Sequence, residues 1–323
     1  MQLIKHPSSS RLSGVLALAV AAALVPTAHA SSREQKSLAP VASLHQTAAT
    51  QFVVVDGVRL AYRRFGKPGG VPLVFFQHFV GNIDSWDPKI TDGFARTREV
   101  ILFDNAGVAS SEGDVPRTVE GMAKYGTDLL AALGIQRADL FGFSLGSLVA
   151  QEIAIERPDL VRRVILVGSG PRGGVGMASL TPEFQAMLAK KHEVPDELLL
   201  DVFFTPSADS QAAGREFLAR LRTRKVGRDA EISDKVAPAQ VAAFAAWGAP
   251  NADADKYLRK LTEPTLVVGG SNDLVHYTVN SFTLQQNITN AQLIVYPDSA
   301  HGSIYQYPDL FLKHATMFLD QAP

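Results

Sequence analysis

The strongest chemical signal in this sequence is a serine between two glycines, in the pentapeptide Gly142-Phe143-Ser144-Leu145-Gly146. An apolar run typical of a buried strand precedes the serine, and apolar residues at helical spacing follow it. A tight strand-to-helix turn needs small residues on both sides of the serine, because side chains there would collide with the turn. The pattern predicts that Ser144 projects from a nucleophile elbow, with the Leu145 N–H directed at a developing oxyanion.

With its strand before and helix after, this elbow resembles the α/β-hydrolase superfamily, whose triad follows the chain order serine, acid, histidine. The resemblance implies that Asp273 is the acid, because it follows an apolar strand and a Gly-rich turn in residues 264–273. It implies that His301 is the base, because it follows the next apolar strand in residues 291–302. His301 would accept the proton of the weakly acidic Ser144 hydroxyl, and Asp273 would fix the tautomer of the imidazole.

Other side chains compete for the roles of base and acid. His276 lies three positions after Asp273 and reaches the pocket from a loop, but no strand delivers it opposite the serine. Asp104 ends another apolar run and is the strongest alternative acid. Asp298 lies in the same loop as His301 and is expected to form a turn by bonding its own backbone. The sequence alone leaves these alternatives open.

The resemblance places the second oxyanion donor in the loop after the third strand, at residues 78–81. Many relatives have His-Gly at this point, whereas this chain has His78-Phe79. The donor is a backbone N–H, so Phe79 can supply it, and its side chain is expected to line the acyl side of the pocket. His78 is expected to be buried and hydrogen-bonded, holding the loop in place.

Strand and helix patterns alternate along residues 51–170. Two β runs at 52–55 and 59–64 are joined by Asp56-Gly57, a strong hairpin turn signal. The alternation predicts a mainly parallel sheet with helices on both faces and the hairpin as its antiparallel edge. Together with the resemblance, it predicts the α/β class, with a mostly parallel eight-stranded sheet formed by residues 51–170 and 263–323.

The alternation stops between these two parts, at residues 171–262, where helix-like segments follow one another without a convincing strand. The resemblance implies that this insertion is a helical lid that covers the cleft and sets substrate choice. Its large apolar residues are too numerous to be solvated, and Phe244 and Trp247 are the first candidates for substrate contacts. Arg172-Gly173-Gly174 near its start is interpreted either as a flexible hinge or as an ordinary loop.

The amino terminus has the pattern of a secretory signal in residues 1–30, with basic residues, an apolar stretch and a cleavage site after Ala30. The apolar stretch is too short for a permanent membrane anchor. A polar segment without periodicity, residues 31–50, is predicted to be a linker and includes His45. The chain has no cysteine, so its stability must come from packing. We therefore expect a periplasmic or secreted protein without a stable membrane anchor.

The composition argues against several classes of protein. With 323 residues the chain can bury a large core, and its formal net charge of −1 with scattered charges offers no basic stripe for nucleic acid. No paired histidines or carboxylates have metal-ligand spacing, so no metal site is predicted, and the expected chemistry needs no cofactor. The expected partner is a small-molecule substrate, and the oligomeric state stays open.

The sequence thus predicts a serine hydrolase that cleaves a small or medium carboxylic ester through an acyl-enzyme. Ser144 in the nucleophile position argues against the epoxide and haloalkane chemistry that related folds perform with aspartate. Lactonase, aminopeptidase, carbon–carbon bond hydrolase and cofactor-free haloperoxidase activities share the architecture, as would a non-catalytic ligand-binding relative, and the fold alone does not choose among them.

Overall fold

The computed structural model describes residues 43–322 and confirms the predicted fold class. Its centre is an eight-stranded sheet with the order β1-β2-β4-β3-β5-β6-β7-β8, in which only β2 runs against its neighbours. The strands are β1 (Gln51–Val55), β2 (Val58–Gly66), β3 (Leu73–Phe76), β4 (Glu99–Phe103), β5 (Ala138–Phe143), β6 (Val161–Val167), β7 (Thr265–Gly270) and β8 (Ala291–Tyr296).

Helices cover both faces of this sheet and divide the core into two apolar clusters. They are α1 (Leu44–Thr47), α2 (Pro88–Ala95), α3 (Val119–Ala132), α4 (Leu145–Glu156), α5 (Pro182–Leu188), α6 (Pro195–Phe203), α7 (Ala208–Leu221), α8 (Val236–Gly248), α9 (Ala254–Leu258), α10 (Thr278–Asn287), α11 (Ser303–Gln306) and α12 (Pro308–Leu319). Central strands such as β5 are buried along their whole length, because helices pack on both of their faces. Because β5 to β8 are parallel, their carboxyl ends lie at the same edge of the sheet, where the loops that follow them converge.

The segment between β6 and β7 contains five of these helices, α5 to α9, and no strand, as its sequence pattern predicts. Its apolar residues pack into both core clusters. Phe203, Phe204 and Phe217 join the cluster on one face, whereas Met177 and Trp247 join the other. Most of the large apolar side chains in this segment therefore stabilise the fold itself.

The linker prediction is wrong from Ser43 onward, where the structure begins. His45 lies in helix α1 and is 2% exposed, and its N–H donates to Asp92 Oδ1 at 2.8 Å. The Arg224 guanidinium donates to backbone carbonyls of this segment, including those of His45 and Ala48. Long-range polar contacts of this kind cannot be read from local periodicity. The predicted signal peptide and residues 31–42 lie outside the described residues.

Within residues 43–322, no helix is both long enough and apolar enough to cross a bilayer.

Candidate active site

Ser144 occupies a strained turn between β5 and α4. Its φ is 53°, a left-handed value that a non-glycine residue rarely adopts, and its N–H donates to the Val167 carbonyl at 2.9 Å. A Cβ at Gly142 would lie 2.4 Å from the Gly146 carbonyl oxygen, and one at Gly146 would lie 1.9 Å from the Phe76 carbonyl oxygen. Both glycines are therefore required by close backbone approach, which is the reason the sequence folds into an elbow here.

Asp273 and His301 form a buried pair at the ends of β7 and β8. His301 Nδ1 lies 2.8 Å from Asp273 Oδ2, and because a carboxylate only accepts, Nδ1 donates and Nε2 keeps its lone pair. The other carboxylate oxygen accepts the N–H groups of Val275 and His276 at 2.9 and 3.0 Å. Burial alone would raise the pKa of Asp273, but the charge and hydrogen bond of His301 outweigh it and leave this pKa below its usual value.

The loop after β6 brings the imidazole of His301 beside the elbow. A Cβ at Gly168 would lie 2.8 Å from His301 Cε1, and Gly168 directly follows Val167, which accepts the Ser144 N–H. The ring of Phe143, the residue before the serine, lies 5.2 Å from the His301 ring. His301 Nε2 is buried and has no hydrogen-bond partner among the described residues. The predicted serine and base thus share one wall of the site.

The alternative acids lie in other surroundings. Asp104 Oδ1 accepts the Ile83 N–H at 3.0 Å, and burial, together with the charge of Asp229, raises the pKa of Asp104 well above its usual value. A carboxyl group that favours its neutral form is a poor partner for an imidazolium. Asp298 accepts the hydroxyl groups of Thr205 and Ser207 at 2.7 and 2.6 Å, so it ties its turn to the start of α7. Among the carboxylates of residues 43–322, only Asp273 forms a hydrogen bond with the imidazole of His301.

His78 has the structural surroundings that the sequence predicts. Its Nδ1 donates to the Phe79 carbonyl at 2.8 Å, and its ring packs between Phe143 and Phe203. Burial lowers the pKa of His78 to about 4, so the ring is neutral at pH 7. Its hydrogen bond to the Phe79 carbonyl stabilises the loop after β3.

The loop after β3 places a backbone donor close to the elbow. Val80 has a φ of 52°, unusual for a β-branched residue, and its N–H donates to Gln240 Oε1 of α8 at 2.7 Å. Within residues 43–322, the N–H of Phe79 donates to no protein acceptor. Leu145 is the first residue of α4, where an N–H has no acceptor inside the helix. Both predicted oxyanion donors are therefore free to bind a ligand.

Helix α8 closes the space above these residues. The Phe244 ring lies 6.1 Å from the Phe79 ring and 5.6 Å from the His276 ring. Ser144 and His301 are only 3% and 2% exposed. A cavity of about 40 Å³ beside Leu145 and Gln240 has room for water, whereas ligand sites usually measure about 300–1,000 Å³. Both catalytic candidates are therefore covered by protein in this structure.

Trp247 lies in a different place from the one expected for a substrate contact. It is 1% exposed, its Nε1 donates to the Gly170 carbonyl at 3.3 Å, and the Arg172 guanidinium lies 4.1 Å from its ring. Arg172 also donates to Glu120 and Glu152 at 2.6 and 2.7 Å. This side chain therefore fastens the start of the segment to α3 and α4. The hinge interpretation of Arg172-Gly173-Gly174 stays a prediction.

His276 lies closer to the site than its sequence position indicates. Its ring is 5.3 Å from the His301 ring, and its Nδ1 is 2.6 Å from the Gly168 carbonyl oxygen. From its sequence position, His276 is expected in a loop that no strand brings opposite the serine. The sequence signal that could have indicated this position is the spacing of three residues between Asp273 and His276. At that spacing the His276 N–H can donate to the Asp273 carboxylate, and the resulting turn places the His276 ring near the site.

Comparisons with known proteins identify the family of this fold. A family model described as alpha/beta hydrolase fold matches residues 71–308. The 2-hydroxymuconate semialdehyde hydrolase of Pseudomonas sp. (strain CF600) is 27% identical over 280 residues, which cover 84% of this chain and 93% of that protein. A solved alpha/beta hydrolase fold protein from Chitinophaga pinensis is 39% identical with a TM-score of 0.81, covering 86% of this chain and 99% of its own.

A second solved structure, Est816, is described as an N-acyl homoserine lactone degrading enzyme. It is 28% identical with a TM-score of 0.63, covering 83% of this chain and all of its own, 100%. The family model spans well over half of the sequence, and relatives of nearly the same extent are named as hydrolases. The chain belongs to the α/β-hydrolase superfamily and is a hydrolase.

Proposed function

We propose that this chain is an exported serine hydrolase that cleaves a small or medium carboxylic ester through an acyl-enzyme. The observation that carries the proposal is the Asp273–His301 pair, whose imidazole lies beside the strained Ser144 with Nε2 unpartnered. His301 Nε2 accepts no other hydrogen bond within the described residues, so it is available to take the proton of the Ser144 hydroxyl.

The reaction proceeds in two acyl transfers. His301 Nε2 takes the Ser144 proton while Oγ attacks the ester carbonyl, and the N–H groups of Phe79 and Leu145 stabilise the oxyanion. The tetrahedral intermediate collapses, and the imidazolium protonates the departing alcohol. Water then gives its proton to His301 and attacks the acyl-enzyme, releasing the carboxylic acid and the free serine. Asp273 stays ionised throughout and stabilises the imidazolium.

The segment from residue 171 to residue 262 acts as a lid in this proposal. Its helix α8 supplies the Phe244 ring over the site and the Gln240 acceptor for the oxyanion loop. Phe79 and Phe244, the two side chains that would flank an acyl group, are apolar. This lining favours an uncharged acyl chain over a peptide or a charged substrate.

The mature chain, beginning at Ser31, should release p-nitrophenol repeatedly from p-nitrophenyl esters ranging from acetate to octanoate. Turnover should vanish in Ser144→Ala and persist in Ser271→Ala, which removes an exposed serine hydroxyl outside the site. Release of only one equivalent, or turnover that survives Ser144→Ala, would exclude the proposed mechanism. Carbon–carbon bond hydrolysis, the activity of the Pseudomonas relative by its name, is the second activity to assay on the same preparation.

Export rests on the sequence of residues 1–30 and needs its own experiment. When the full chain is expressed in a Gram-negative host, we expect the periplasmic fraction or the medium to contain a protein whose amino terminus is Ser31. Replacing Ala28 and Ala30 by bulky residues should leave an unprocessed precursor. Recovery of the uncleaved wild-type chain from the cytoplasm would contradict export.

A further inference from the structure

We propose that His276 is a substrate-binding residue, whose Nε2 accepts a hydrogen bond from an N–H or O–H group on the acyl side of the scissile carbonyl. The preferred substrates would then carry such a donor on the carbon next to the carbonyl. This inference rests on the proposed function, since it assigns the substrate class of the same site.

The tautomer of His276 is fixed by the backbone. Its Nδ1 lies 2.6 Å from the Gly168 carbonyl oxygen, and a carbonyl can only accept, so Nδ1 carries the proton. Nε2 points away from Gly168 across the ring and is left with a lone pair. Among the described residues, no protein group donates to that lone pair. The arrangement presents an acceptor without a protein partner beside the predicted base.

The ring of His276 belongs to an arc of four rings around the site. The ring centroids of Phe79, in the oxyanion loop, and Phe244 are 6.1 Å apart. Those of Phe244 and His276 are 5.6 Å apart, and those of His276 and His301 are 5.3 Å apart. An acyl group whose carbonyl oxygen is held by the Phe79 N–H extends along this arc. His276 supplies the polar atom of the arc that the mechanism does not use, and Phe79 and Phe244 are apolar.

His276 acts as an acceptor because it stays neutral. Burial and the nearby His301 lower the pKa of His276 to about 4, while the charge of Asp273 opposes this shift only in part. A neutral imidazole does not attract a substrate carboxylate, but its Nε2 can accept a hydrogen bond from a neutral N–H or O–H group. An acyl group that covers this acceptor without donating to it leaves the acceptor unpaired, which costs free energy, so a substrate without the donor is selected against.

Two p-nitrophenyl esters that differ in one group test this role. In p-nitrophenyl N-acetylglycinate an N–H follows the α-carbon, whereas p-nitrophenyl 4-oxopentanoate has a methylene in its place and the same length. After division by the ratio of the uncatalysed rates, wild-type kcat/KM should favour the N-acetylglycinate by about 10-fold, the worth of one hydrogen bond to a buried acceptor.

The variants are compared through the same ratio, so that any general loss of activity cancels. His276→Leu should bring the ratio close to one, and His276→Gln should restore part of the preference, because its Oε1 can accept in the position of Nε2. The matched control is His314→Gln, which alters a histidine that pairs with Tyr296 outside the site and should leave the ratio at its wild-type value.

A wild-type ratio near one overturns the inference without any variant, even if His276→Leu fails to fold. A preference that survives unchanged in both His276 variants also overturns it. In both cases Ser144-dependent turnover of the two esters leaves the proposed function standing. If neither ester is hydrolysed and Ser144 is unreactive, the proposed function fails and the inference fails with it.

Discussion

The two halves of the site are held by different parts of the chain. Asp273 and His301 lie in loops at the ends of neighbouring parallel strands, and their contacts with Gly168 and with each other stay inside the sheet framework. The oxyanion loop at Phe79 and Val80 is fastened by Gln240 from the inserted helices. The inserted helices also support the acid–base half, since the Gly302 N–H donates to the Phe203 carbonyl at 2.9 Å and the Thr181 hydroxyl donates to the Leu274 carbonyl at 3.0 Å. The difference indicates that the geometry of the acid–base pair is set mainly at the strand ends, whereas access, oxyanion binding and selectivity depend more on the helical segment.

The largest effect should come from breaking the sheet-held half. His301→Ala should lower kcat/KM by about 10⁴-fold or more, because Ser144 loses its base, and Asp273→Asn should lower it by about 10⁴-fold or somewhat less, because the tautomer is no longer fixed. Far-ultraviolet circular dichroism checks that the fold is intact. Asp298→Asn is the matched control and should leave turnover near the wild-type rate. If it is as harmful as Asp273→Asn, the acid is misassigned.

Two aromatic residues on one helix sharpen the comparison. Phe244→Ala should shift the relative specificity among ester chain lengths by about 10-fold to 200-fold, since its ring lies over the site. Trp247→Ala should leave that preference unchanged and lower the free energy of unfolding by about 3–5 kcal/mol, since its ring packs under Arg172. Denaturant titration and ester kinetics separate the two results. A large specificity change in Trp247→Ala alone would reverse the assignment.

A smaller effect is expected where the helical segment touches the oxyanion loop. Gln240→Leu leaves the Val80 N–H without its acceptor and lets the strained loop relax, so kcat should fall about 10-fold with little change in KM. Gln286→Leu, on the exposed side of α10, is the control. A loss of kcat/KM that comes entirely from a higher KM, with kcat unchanged, would mean that Gln240 affects only substrate entry.

The smallest effect concerns the contribution of the buried Asp104 to the stability of the fold. Because the pKa of Asp104 is raised in the folded chain, its neutral form stabilises the fold, and this contribution is lost as the pH rises through that raised pKa. Asp104→Asn mimics the neutral carboxyl and cannot ionise. Its melting temperature relative to wild type should therefore rise as the pH is raised through that pKa. A difference that falls with pH would contradict the shift.

Local patterns were enough to predict the sheet, the elbow and most helices of the insertion. Gly142 and Gly146 mark a turn that no other residues can form, and periodicity marks the strands that carry Asp273 and His301. The positions of Trp247 and His45 could not be predicted, because each is fixed by a guanidinium from a distant part of the chain. The type of a residue in the inserted helices does not predict whether its side chain faces the substrate site or the core.

The central claim is that Ser144 is an activated nucleophile, and covalent labelling tests it most directly. The mature protein is treated with a small fluorophosphonate, and the modified peptide is identified by mass spectrometry. We expect one label on Ser144, no label in Ser144→Ala and much slower labelling in His301→Ala, because the hydroxyl attacks phosphorus only when the imidazole takes its proton. Labelling at another residue, or labelling that persists in Ser144→Ala, would contradict the account.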